Sequence, residues 1–231
     1  MRYAPFVGAF LAVGWAQLES PNSFLALSVG AASPTGRSAQ KAFMYPTDGY
    51  ALPGAAVGLH LHTFVAPYLS LNLRLTQSFF SLDAKSLGKE DHLFPEPVAI
   101  SKNPTVSHTV VGFGVGTGFR LDWVSFYLPV QFALGIYALP EIQGVKSATQ
   151  TWFQSKTSTA QVGFSTGLIT NFSLSDDFFV GLSLLYTGVR SGEKEWERYR
   201  VTRGATDQRF LYRVPVATDL AEVGVLVGLH F

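Results

Sequence analysis

His60 and His62 stand two positions apart, and two imidazoles at that spacing are the start of a metal site or a pH-sensitive pair. On a strand both would project to one side, ~7 Å apart. A metal centre asks for more, because no carboxylate stands near them in sequence and the chain has no cysteine. The stronger reading is a hydrogen-bonded pair in a polar interior, which His230 would join at similar depth. Arg74 and Glu222 are the other side chains suited to chemistry. An unpaired charge in a narrow interior is expensive, so a salt bridge between them is expected, with Asn72, Gln131 or Gln161 in its network. That bridge has two readings, a structural plug or a gate on a small pore, and the plug is the stronger. Ser107 and His108 invite comparison with a hydrolytic site, but such sites need a serine, a histidine and usually an acid at one place. No such constellation is visible, so no catalytic residue, metal or cofactor is expected.

These residues share a setting, because each falls in a segment that alternates with period two, as a strand does. Eight such segments occur, at about 23–32, 51–64, 68–80, 108–121, 124–138, 159–172, 178–187 and 217–231. In the third, Leu69, Leu71, Leu73 and Leu75 oppose Ser70, Asn72, Arg74 and Thr76. In the fourth, Val111, Phe113 and Val115 oppose Gly112, Gly114 and Gly116. One face is apolar and bulky, the other small or polar. A soluble barrel would hide the bulky face and charge its outer one. Here the second face carries glycine, serine and threonine, which suits the crowded interior of a narrow barrel whose bulky face meets lipid.

Charge and connections agree with this. Of 17 basic and 16 acidic side chains, only Arg74, Arg120 and Glu222 fall well inside the segments, all with interior parity. The connections alternate between short ones, near Ala66-Pro67, Asp122-Trp123 and Ser175-Asp177, and long ones at 33–50, 81–107, 139–158 and 188–216. Short periplasmic turns and long external loops define the outer-membrane type of barrel. Tyr68, Trp123, Phe172, Phe178 and Phe231 would form its inner aromatic girdle, and Tyr50, Phe79, Tyr137 and Tyr186 would lie near the outer one. The expected fold is all-β, a single eight-stranded antiparallel transmembrane barrel over residues 17–231. Residues 1–16 have the basic start, apolar stretch and small-residue end of a secretory signal peptide.

The composition, 47% hydrophobic but only 14% charged, excludes a disordered chain. A net charge of +1 speaks against a nucleic-acid binder. No apolar run of about 18 residues is present, which speaks against membrane helices. The last long loop interleaves Trp196, Tyr199, Phe210 and Tyr212 with Arg198, Arg200, Arg203, Arg209 and Arg213. A hairpin turning near Gly204 would carry them above the membrane. The arginines have two readings of equal weight, contact with lipopolysaccharide phosphates or a charged partner, and a solvated loop.

Val223, Val225, Val227, Leu229 and the terminal Phe231 alternate to the chain end. This resembles the C-terminal assembly signal of bacterial outer-membrane proteins, and the resemblance implies insertion by the barrel assembly machinery. The whole plan is similar to the small eight-stranded OmpA-like and OmpX-like barrels. The Ser33-Pro34-Thr35-Gly36 step resembles the generic outer-membrane β-barrel domain. Some barrels of this size are lipid-modifying enzymes, but their motif is not found here. The expected role is therefore non-catalytic, in envelope structure or surface interaction through the external loops. The expected partners are outer-membrane lipid, lipopolysaccharide and an extracellular partner, with no nucleic acid. A narrow channel or small-ligand carrier ranks second, and a lipid-modifying enzyme last.

Overall fold

The structure is a computed structural model that describes residues 19–35, 51–83, 99–100, 104–147, 150–154, 156–203, 206–214 and 216–231. The first sixteen residues and Tyr50 lie outside this set. Eight long strands follow the alternating segments: β1 Phe24–Thr35, β2 Gly54–Ala66, β3 Leu69–Ser81, β5 Thr105–Leu121, β6 Val124–Leu139, β9 Thr157–Ser173, β10 Phe178–Arg190 and β13 Ala217–His230. They close into an antiparallel barrel in the order β1-β13-β10-β9-β6-β5-β3-β2. The seam is made by the chain ends, with β13 pairing β1 from Phe24↔His230 to Thr35↔Asp219.

The outer face is apolar all round. Val29 is 66% exposed and Val130 58% exposed, while the polar Arg74 and His108 on the inner face are almost fully covered. A soluble protein rarely exposes apolar patches beyond a few hundred Å², so a closed belt of this kind needs lipid around it. From Ala221 on β13 to Phe231 just beyond its end, the outward residues span ten steps that at ~3.3 Å per residue and a tilt near 40° rise ~25 Å. That height matches a transmembrane barrel's apolar band.

Both rims are marked. At the turn end Tyr68, Trp123, Phe178 and Phe231 are exposed, and Trp123 lies 5.7 Å from Phe172 between ring centres. Tyr68 and Asp122 have φ of 66° and 55°, the left-handed backbone that tight turns require. At the loop end Tyr186 and Phe79 face outward, and Arg190 grips Asp219 through two hydrogen bonds of 2.7 and 3.0 Å. Tyr137, expected near the outer girdle, is instead buried in the lumen. It shares parity with Tyr127 and Gln131, so the strand alternation turns it inward.

Among the described residues five further strands occupy three of the long connections: β4 Ala99–Ile100, β7 Ile142–Ser147, β8 Gln150–Gln154, β11 Lys194–Arg203 and β12 Thr206–Val214. They form a second sheet in the order β12-β11-β8-β7-β4. All three connections leave the same end of the barrel. The hairpin expected across 188–216 is present as β11 and β12, separated from β10 by Ser191–Glu193.

Candidate functional site

The lumen is stacked in layers. At the turn end Phe24, Ala26, Tyr127, Ile169, Phe179, Leu185 and Leu226 form one buried cluster, with Phe64 against it. Phe24 packs edge-on to Tyr127 and Phe179, at 4.7 and 5.4 Å between ring centres. His62 is part of this layer and stacks flat on Phe24 at 4.5 Å. His230 tilts over Phe179 at 4.6 Å and lies 3.4 Å from the Ser173 hydroxyl.

The chain closes the mouth below this cluster before it enters β1. Glu19 exchanges backbone hydrogen bonds with Arg120 on β5 at 3.2 and 2.9 Å. The Tyr127 hydroxyl donates to the Asn22 carbonyl at 3.2 Å. The Ser23 hydroxyl accepts from the Phe64 amide at 3.0 Å, and its carbonyl accepts from the Phe231 amide at 3.0 Å. Residues 19–23 therefore form a strap fastened to β2, β5, β6 and the chain end.

Above the aromatic layer lies the charged one. Arg74 Nη1 donates to Glu222 Oε2 at 3.1 Å, and Arg74 Nη2 donates to Thr187 Oγ1 at 2.7 Å. The Ser78 hydroxyl donates to the other Glu222 oxygen at 3.0 Å. Thr187 passes a hydrogen bond to Ser165 at 3.1 Å, and Ser165 donates to the Tyr186 carbonyl at 3.0 Å. The network thus joins β3, β13, β10 and β9. His60 shares a 2.9 Å hydrogen bond with Ser28. A cavity of about 10 Å³ lies among His60, Thr76, Ser183 and Glu222, the room of one water molecule. Nearer the loop end, Gln161 donates to Thr218 at 2.9 Å and to the Val216 carbonyl at 3.0 Å.

The six expected lumen residues are distributed rather than gathered. Arg74 and Glu222 meet, and their further partners are Thr187 and Ser78. Neither Asn72 nor Gln161 bonds to them: Asn72 is buried with no hydrogen-bond partner for its amide, and Gln161 serves Thr218. His60 and His62 have separate partners, a hydroxyl and an aromatic ring. Arg120 sits at the turn rim and donates to the Asp122 carbonyl at 2.6 Å. His108 is a fully buried lumen residue on β5, edge-on to Tyr137 at 5.9 Å. Among the described residues no three histidine, cysteine or carboxylate side chains come together as a metal site would require.

The aromatic layer and the strap are the features that residue types alone did not single out. Parity was the available signal for the first, because Phe179 and Leu185 share the inward set of Gly181 and Ser183. No local pattern announces the strap. Arg198, Arg200, Arg203, Arg209 and Arg213 all lie on β11 or β12, the outermost hairpin of the second sheet. Register sets Arg200 opposite Arg209 and Glu195 opposite Arg213. Val223, Val225, Val227, Leu229 and Phe231, the residues that resemble an assembly signal, all face outward at the barrel seam.

A closed eight-stranded barrel with an apolar belt and a filled lumen defines a small transmembrane β-barrel. No protein-family model matches the chain, and no curated protein sequence matches it. Among solved structures the chain is similar to Neisserial surface protein A, with 11% identity over 92% of this chain and 99% of that one, at a TM-score of 0.47. It is also similar to Ail, the attachment invasion locus protein of Yersinia pestis, at 13% identity over 91% and 100%, TM-score 0.42. That protein has also been solved in complex with the heparin analogue sucrose octasulfate. A third is a major outer membrane protein of Thermus thermophilus, at 13% identity over 89% and 98%, TM-score 0.43.

Proposed function

We propose that the protein is a non-catalytic outer-membrane barrel whose work is done by the sheet it raises outside the bilayer. The observation that carries this is the convergence of three connections from one barrel end into a single five-stranded sheet. Loops that only closed the barrel would need no shared architecture. The partner of this sheet is anionic, with lipopolysaccharide phosphate the nearest source at that height. Like charges directly opposite on paired strands are destabilising, and Arg200 stands opposite Arg209. A phosphate between two guanidinium groups removes that cost through charge-assisted hydrogen bonds. Residues 1–16 act as the export signal, and β13 serves as the strand read by the assembly machinery.

The test is binding of the detergent-extracted protein to purified lipopolysaccharide, beside Arg200→Ala/Arg209→Ala. The double variant is expected to keep a heat-modifiable, folded barrel and to lose at least tenfold in affinity. Equal binding by both proteins would remove lipopolysaccharide as the partner. The channel reading gains no support from the lumen, which is filled at its turn end by the aromatic layer and the strap.

A further inference from the structure

β12 is the edge of the external sheet and, among the described residues, pairs only with β11. A nine-residue edge whose outer side pairs with no described strand is a template for another strand. Its sequence, TDQRFLYRV, is fitted to one occupant. Two copies laid antiparallel with full overlap pair residue i with residue 420 − i, since 206 + 214 = 420. Phe210 then meets Phe210, Thr206 meets Val214, Gln208 meets Tyr212 and Arg209 meets Leu211. Asp207 meets Arg213, and two-fold symmetry makes that pairing twice. Sliding by one residue either way sets Asp207 against Tyr212 or Val214. A slide of two residues sets Arg209 against Arg213 or Asp207 against Leu211. The register with the most backbone hydrogen bonds is thus the one that pairs opposite charges.

We propose that β12 is a homotypic edge, through which a second copy of this chain continues the external sheet. The contact is isologous, the commonest kind in homodimers. It deepens the surface-interaction reading above and rests on it. The two strands β11 and β12 carry six basic and three acidic residues, so a net repulsion opposes the approach. Screening over ~8 Å at physiological salt weakens that long-range term more than it weakens charges in direct register. Arg213 would stand between Glu195 of its own chain and Asp207 of the second copy, an alternation of sign along one row.

The chain lacks cysteine, so a single introduced cysteine reports unambiguously. The protein, extracted from the membrane in mild detergent, is expected to dimerise with rising concentration in light scattering. Under mild oxidation Phe210→Cys should link to itself. Thr206→Cys should not, because its mate lies ~26 Å along the strand pair. Asp207→Arg alone and Arg213→Asp alone should each dimerise at least ~10-fold more weakly, since two attractive pairs become repulsive. Mixed together they should dimerise again, because each heterodimer restores both pairs. A folded, heat-modifiable barrel that stays monomeric would overturn the proposal. So would equal crosslinking at 206 and 210, or a mixture no tighter than its components. Lipopolysaccharide binding by the Arg200 and Arg209 variant is read separately, so loss of the dimer and loss of the anionic partner are distinct results.

Discussion

Arg74 and Glu222 are 148 positions apart in the chain and hold a 3.1 Å ion pair across the lumen, from β3 to β13. Neither strand pairs with the other, because β2 and β1 lie between them in the barrel order. The contact therefore braces opposite sides of the seam that β1 and β13 make. Its value lies in mutual satisfaction, since taking both charges out of water costs about what their attraction returns.

Removing one partner should accordingly cost far more than removing both. Glu222→Ala leaves a fully buried guanidinium facing Thr187 alone, and about 3–5 kcal/mol of stability should be lost. Arg74→Met/Glu222→Leu should recover most of that loss. Urea unfolding in micelles, followed by tryptophan fluorescence, measures both. A double variant as unstable as Glu222→Ala would mean that the charges themselves, and not their pairing, stabilise the seam.

The same pair bears on conduction. A gate at Arg74 needs a path to and from it, and at the turn end the buried aromatic layer and the strap lie across the lumen. Planar-bilayer recordings of the native protein should be silent, and Glu222→Ala should stay silent while the aromatic layer holds. Phe24→Ala/Phe179→Ala, which empties that layer, is where current should first appear. Reproducible channels in the native protein that change with Glu222→Ala would overturn the plug and make the ion pair a gate.

The barrel is readable in the sequence because lipid imposes a one-sided rule. Each outward position has to be apolar, so period two survives through every strand, and the few inward charges stand out by parity. Interior partners follow less directly. Arg74 and Glu222 are the only central charges of opposite sign, which makes their meeting legible. Thr187 and Ser78 are ordinary interior hydroxyls whose role depends on strand stagger, and stagger leaves no local mark. Arg120 has the right parity but the wrong height, since it lies two residues before the Asp122 turn. The strands β7 and β8 look like loop in sequence because neither face is bounded by lipid and so neither needs to alternate. Tyr137 shows the opposite error, an aromatic assigned to a girdle by residue type when its parity points inward.

Glycine at Gly114 follows from close approach. A side-chain carbon there would drive into the Val130 carbonyl and come within 2.8 Å of the Gln131 Cα, both backbone atoms of β6. Neither can move without breaking the β5–β6 ladder. Gly114→Ala should lose most of the heat-modifiable, folded form on gels. Gly192→Ala, with no atom within 4 Å of the added carbon, should fold like the native chain. Equal yields for the two would show that β5 and β6 can separate at that point.

The apolar belt makes the most general prediction, because it separates a membrane barrel from a soluble one. Val130 is 58% exposed near the middle of β6. In water, replacing an exposed valine with arginine is nearly neutral, usually within about 0.5 kcal/mol. At the bilayer midplane the same change costs about 2–4 kcal/mol, and the cost falls toward the interfaces. Val130→Arg should therefore lower stability in phospholipid vesicles by that amount. Ser158→Arg, at the loop end of β9 on the outward face, should lower it by less than about 1 kcal/mol. Unfolding in vesicles measures both variants against the native chain. If the two cost the same, the outward face does not meet hydrocarbon at Val130, and the barrel's place in the bilayer is wrong. If the cost follows depth, the belt is the lipid-facing surface and the five-stranded sheet beyond it lies outside the membrane.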